Sequence, residues 1–180
     1  MKRLPPLEPV AGEVCAALRA KGVEAILVGG GVVTIYSEND YRSLDLDFVV
    51  RGRDAAIIEA MGSIGFRKGS GRHFERKGTL YLVEFLPPPP GIGRMVVDRF
   101  VTRRTSGGLL TLFDPTHCVM DRLAAFYHWS DPQGLDQAVM VARRHRIRQE
   151  EVQRWSEGEG MSPRYAEFRA RLAAARRRKA

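Results

Sequence analysis

An α/β fold of the α+β kind, a mixed sheet flanked by helices with a helical C-terminal region, follows from three observations in this 180-residue sequence. Short apolar runs alternate with segments of helical spacing through the first two thirds of the chain. Glycine and proline clusters punctuate those segments. From residue 114 onward strand-like runs cease and helical spacing takes over. The organisation expected is a sheet-bearing core over 1–113 followed by a basic helical region over 114–180.

Each element can be justified in order. Val14, Ala17 and Leu18 recur at helical spacing across 10–20, and Gly22 stops that helix. Residues 25–28 form a short apolar run, a buried first strand. Gly29-Gly30-Gly31 then leads into a short helix over 32–36, despite its β-branched residues. A second strand covers 44–50, and Arg53-Asp54 opens a helix through Ile57, Ile58 and Met61 to Gly62 or Gly65. A hairpin follows, with 73–76 and 80–86 flanking the turn-like Lys77-Gly78-Thr79. Pro87 to Pro90 and Gly91-Ile92-Gly93 cannot continue a sheet interior and read as an exposed loop. A strand over 95–101 and a short edge strand over 109–112 complete the sheet. Asp114 as N-cap and Pro115 in the first turn start a helix to Trp129, with further helices over 134–145, 150–155 and 163–176.

Composition narrows the classes. A chain 44% hydrophobic and 28% charged buries a real core and is not disordered. Its start, Met1-Lys2-Arg3-Leu4-Pro5-Pro6, has charge but no apolar stretch behind it, and no segment reaches membrane-spanning length, so a cytoplasmic protein with no membrane partner is expected. Cys15 and Cys118 lack metal-type spacing and read as reduced, buried thiols. The net charge of +8 is lopsided: residues 142–180 hold 12 Lys/Arg against 5 Asp/Glu, whereas 1–141 hold 17 against 16. Arg143, Arg144, Arg146, Arg148, Arg164, Arg169, Arg171 and the run Arg176-Arg177-Arg178-Lys179 suit either a solvated helical surface or a polyanion contact. His73, His117, His128 and His145 are scattered without ligand-type pairing. Phe126, Tyr127 and Trp129 have the spacing of helix packing rather than of a base-stacking platform.

The chemistry is concentrated in Asp45-Leu46-Asp47. On a strand, residues two apart project from the same face, so both carboxylates emerge side by side inside an apolar run. Like charges so placed call for a cation between them. Magnesium takes oxygen ligands and leaves positions for phosphate oxygens, and manganese can replace it. Gly29 and Gly30 let the backbone approach a phosphate at a helix start, and Gly31 adds further freedom. A dinucleotide-binding turn is excluded, because Val33-Thr34 occupies the place of its third glycine.

A strand, a glycine turn into a helix, and a strand with paired aspartates resembles the nucleotidyltransferase fold of the DNA polymerase beta superfamily. The matching residues are Leu27-Val28-Gly29-Gly30 and Tyr41-Arg42-Ser43-Leu44-Asp45-Leu46-Asp47-Phe48. The Arg-Ser-x-Asp-x-Asp form is similar to small bacterial members related to abortive-infection nucleotidyltransferase toxins, as is Asp114-Pro115-Thr116-His117-Cys118-Val119-Met120-Asp121-Arg122-Leu123-Ala124-Ala125.

The resemblance implies metal binding and catalysis by Asp45 and Asp47 with a third carboxylate, Glu84 or, as the alternative, Asp98. It implies nucleotide contacts from Gly29, Gly30, Arg42, Ser43 and Arg122, the last standing where relatives often carry lysine. Asp121 and Asp136 match acidic positions of the same helical region, or serve as ordinary helix surface charges. The implied reaction moves a nucleoside monophosphate from a nucleoside triphosphate such as ATP to an acceptor hydroxyl on RNA, tRNA or protein. Membership of a toxin–antitoxin pair with a cognate antitoxin would follow by the same analogy. The competing expectation is a noncatalytic module of this fold that binds nucleic acid or a protein; the long segment between Gly30 and Asp45 and the missing lysine favour it. A metal-dependent phosphatase or nuclease is disfavoured by the lack of a His-rich metal shell.

Overall fold

The backbone hydrogen-bonding needs of the apolar runs are met in a mixed sheet. A computed structural model describes residues 6–69 and 71–177. Within these residues lie seven helices and nine strands: α1 (Leu7–Ala20), β1 (Glu24–Val28), α2 (Gly29–Tyr36), β2 (Asp45–Arg51), α3 (Asp54–Ser63), β3 (Arg67–Lys68), β4 (His73–Glu75), β5 (Leu82–Leu86), β6 (Gly91–Ile92), β7 (Met95–Val96), β8 (Val101–Thr105), β9 (Gly108–Leu112), α4 (Pro115–Trp129), α5 (Pro132–Ala142), α6 (Gln149–Gly158) and α7 (Ser162–Arg177). The sheet order is β3-β4-β5-β2-β1-β9-β8, and β6 pairs with β7 in a separate ribbon. The pairs β2–β5 and β1–β9 are parallel and the other pairs antiparallel.

Alternation along β2 divides the sheet into a packed face and a functional face. Leu46 and Phe48 are fully buried, while Asp45 and Asp47, at the alternate positions, are not. Helix α2 covers the packed face, close enough that a Cβ on Gly31 would touch Leu27 and Leu46. Helix α1 packs on β1, β9 and α3. Apolar burial then runs as one cluster from Leu7 to Leu172, so α4 to α7 share the core of the sheet region, and α4 and α5 lie against α2. The boundary expected at 114 falls at a cap: Asp114 accepts from the His117 amide at 2.8 Å. The thiols of Cys15 and Cys118 are free and buried.

Several expectations require correction. The strand read over 95–101 is broken. Met95–Val96 pairs with Gly91–Ile92, and the Val97 amide donates to Pro90 at 2.9 Å, so the chain leaves the ribbon before β8. The 87–93 segment is not wholly exposed either, because Pro90 and Ile92 are buried. The strand over 109–112 is interior, since β8 closes the sheet outside it. Trp129 is 83% exposed at the end of α4, whereas Tyr127 stacks on Trp155 in the core.

Most arginines of the basic third are internal staples. Arg143 and Arg144 pair with Asp40, Arg148 with Asp114 and Glu151, and Arg171 with Asp136. Arg176 donates to the Ala142 carbonyl. Arg164 donates to the carbonyls of Phe126 and Tyr127 and to Ser130 Oγ, with its guanidinium over the Phe126 ring. Carbonyls in the last turn of α4 have no partner within the helix, and Arg164 supplies one. Arg178 and Lys179 lie outside the described residues. Arg164→Ala should therefore lower stability by about 1–3 kcal/mol, whereas exposed Arg169→Ala should change it by less than about 0.5 kcal/mol. Denaturant midpoints of the two variants check this.

Candidate active site

Register places the three carboxylates. Strand β5 runs parallel to β2 with Asp47 beside Glu84 and Asp45 beside Leu82. Side chains level with each other on adjacent strands share a face, so Asp45, Asp47 and Glu84 all project from the functional face. Burial, then the charges of Asp45 and Glu84, push the Asp47 carboxyl up to about 6, and Arg122 only partly offsets them. Asp98 is exposed in the connection between β7 and β8, away from this row. Glu84, not Asp98, is the third carboxylate that the fold brings to the pair.

The glycines sit where the sequence placed them, but the helix begins earlier than expected, at Gly29. Gly29 has φ +67°, and a Cβ there would lie 3.0 Å from Asp47 Oδ2 and 3.8 Å from Arg122 Nη2. A larger residue would be strained and would crowd the carboxylate. A Cβ on Gly30 would stand 3.1 Å from Ser43 Oγ and 3.4 Å from the Tyr41 hydroxyl. The opening turn of α2, with its unpaired amides, thus faces the carboxylate row.

The loop between α2 and β2 is braced from within. Ser43 N donates to Thr34 Oγ1 at 2.9 Å, and Ser43 Oγ both accepts from Asp45 N at 3.1 Å and donates to Asp45 O at 3.0 Å. Ser43 therefore fixes the entry to β2. Arg42 Nε donates to Asn39 O at 3.4 Å, and its charge also acts on Tyr81.

Helix α4 contributes Arg122. Its Nη2 donates to Asp121 Oδ2 at 2.6 Å and its Nη1 to Gln137 Oε1 at 3.4 Å. Burial works against its charge, but Asp121 outweighs that and raises its pKa. Asp121 anchors Arg122, whereas Asp136 pairs with Arg171 away from it. Sequence reading missed Gln137, which is 5% exposed, and quoted Tyr41 only as a flanking residue. A polar residue on the apolar side of α5 was the available signal for Gln137; no pattern marked Tyr41.

Among the described residues no group of three or more His, Cys, Asp or Glu side chains is arranged to hold a metal ion, so Asp45, Asp47 and Glu84 share a face without converging on one point. Magnesium takes oxygen ligands and retains several waters when bound. Carboxylates crowded on one face and a partly buried acid with a raised pKa form a donor set that such an ion would relieve.

No family model and no curated protein matches the chain. A solved structure does: an antigenic nucleotidyltransferase-like protein from Paracoccidioides brasiliensis superposes with a TM-score of 0.57 at 16% identity, over 76% of this chain and 73% of that one. The fold is nucleotidyltransferase-like. Within a nucleotidyltransferase-like fold the glycine turn, the Asp45–Asp47 strand and Glu84 occupy one face, and Arg122 reaches the same place from the helical region. No helix among the described residues is long and apolar enough to cross a membrane.

Proposed function

We propose that the protein is a magnesium-dependent nucleotidyltransferase, moving a nucleoside monophosphate from a nucleoside triphosphate to an acceptor hydroxyl with release of pyrophosphate. The observation that carries this reading is the register of β2 against β5, which sets Glu84 level with Asp47 and leaves Asp45 on the same face. Asp45, Asp47 and Glu84 would hold magnesium, or manganese in its place, which neutralises phosphate charge when bound. The chain's own contributions are positional. Amides at the start of α2 donate to phosphate oxygens, Gly29 leaves room for them, and Arg122, held by Asp121 and Gln137, offers a further cation. A partly buried Asp47 is well placed to accept the acceptor hydroxyl's proton at its carboxylate oxygen.

The acceptor is RNA in this reading. By analogy of fold alone the protein would serve as a toxin with a cognate antitoxin. Incubation with each labelled nucleoside triphosphate, magnesium or manganese, and total RNA should place label on RNA in a metal-dependent manner. Label on no macromolecule under either metal would favour the noncatalytic binding module instead.

A further inference from the structure

The geometry points to a groove across β5, β4 and β3 as the path of an acceptor RNA strand leading to Asp45. This rests on the nucleotidyl-transfer reading for its purpose but on separate observations for its place. The cations of the C-terminal third are mostly engaged in staples, whereas Arg67 and Lys77 are exposed and have no acidic partner within 4.0 Å among the described residues. Arg67 and Lys77, with Gly65, Glu75, Leu80 and Leu82, line a groove of 730 Å³.

Register ties this groove to the carboxylates. Asp45 is level with Leu82, His73 with Glu84, and Arg67 with Glu75. Continuing the antiparallel register by one residue brings Glu75 level with Leu82. A single row, Asp45, Leu82, Glu75, Arg67, therefore crosses the functional face, spanning about 15 Å at roughly 4.8 Å per strand. Leu80, which also lines the groove, is 61% exposed and offers an apolar surface to a base or sugar.

The composition of the row selects the occupant. Cations at its far end suit phosphates, and a hydroxyl must arrive at its near end. Glu75 is exposed between them with no cationic partner within 4.0 Å among the described residues, and a carboxylate in a phosphate path is repulsive unless a donor meets it. A ribose 2′-hydroxyl is such a donor, and DNA lacks it. The occupant is accordingly a single-stranded RNA with its 3′ end toward Asp45.

The test is binding of a labelled single-stranded RNA and of the DNA of the same sequence, without metal or nucleotide, across a salt series. Arg67→Glu with Lys77→Glu should weaken RNA binding at least tenfold. The neutral pair Arg67→Gln with Lys77→Gln should lower the salt-dependence slope by about 1.4, at roughly 0.7 per phosphate contact. Glu75→Gln should reduce the preference for RNA over DNA. Both pairs alter exposed residues, and an unchanged thermal midpoint separates lost binding from lost folding. RNA affinity equal to the parent's in both pairs would overturn the groove and leave the cations as protection of a sheet edge; so would loss of RNA binding on Arg169→Ala with Arg177→Ala instead, or a parent that binds protein acceptors but no RNA. If RNA binds the groove while magnesium and nucleoside triphosphate do not bind the protein, the groove stands and the proposed reaction falls.

Discussion

Replacing Asp47 by Asn is expected to stabilise the metal-free protein while removing nucleotidyl transfer. In the fold Asp47 ionises near pH 6 rather than 3.8, because it is half-buried beside two other carboxylates. An acid whose pKa rises on folding contributes stability below its unfolded pKa and loses it as pH climbs through the folded value. The amide carries no charge to desolvate. Asp47→Asn should therefore match the parent near pH 4, gain between pH 4 and 6, and keep a constant advantage above. After allowance for the water that still reaches Asp47, that advantage is about 1–2 kcal/mol, or a few degrees in Tm. Magnesium should raise the Tm of the parent and not that of the Asp45→Asn, Asp47→Asn double variant. Transfer by the double variant should fall on the order of 10³-fold or more. Thermal scans from pH 4 to 8 decide the first part: equal pH profiles for parent and Asp47→Asn would mean that Asp47 is not under the strain assigned to it. Asp114 runs in the opposite sense. Burial alone would raise its pKa, but hydrogen bonds from His117 and Arg148 hold it well below the usual range, so its stabilisation is lost as pH falls.

Gly134→Val is expected to damage the contact between α4 and α5 strongly. A Cβ at Gly134 would lie 2.5 Å from the Arg122 carbonyl oxygen and 3.1 Å from the Phe126 amide nitrogen, both backbone atoms that cannot rotate aside. Helices α4 and α5 would have to separate at the turn that carries Arg122. Overpacking of this kind costs about 1–3 kcal/mol, which corresponds to a Tm lower by roughly 2–10 °C. Displacement of Arg122 should also raise the KM for nucleoside triphosphate. Gly62→Ala is the control: nothing lies within 4 Å of its Cβ, and replacing this glycine in the last turn of α3 should stabilise the protein by about 0.4–1 kcal/mol. Comparable losses in both variants would refute the close-contact argument.

Legibility of the sequence followed how local each signal was. The Asp-x-Asp alternation, the Asp114 cap and the β4–β5 hairpin depend on neighbouring residues, and all three appear in the fold. Strand β8, Val101–Thr105, carries Thr102, Arg103 and Arg104, so a search for apolar runs passes over it; without β8, β9 looks like an edge. Strand β3 is two exposed residues long and exists only because β4 lies beside it. The apolar run at 95–101 did suggest a strand, but Val97 bonds back to Pro90 and the prolines redirect the chain. At the site, Asp45 and Asp47 were readable as a pair and the apolar flanks of Glu84 favoured it over Asp98, whereas its place level with Asp47 required strand pairing across residues far apart in sequence. Charge counting located basicity in the C-terminal third but could not reveal how many of those guanidiniums were already engaged by carbonyls and carboxylates.

The parallel alignment of β2 with β5 also makes the site a check on correct folding. A shift of one residue would turn Glu84 inward among Phe48 and Phe74 and push Val83 out toward water, so an out-of-register molecule would lose both its core and its third acid at once. Assembly of the three-carboxylate face and attainment of the native pairing are thus one event.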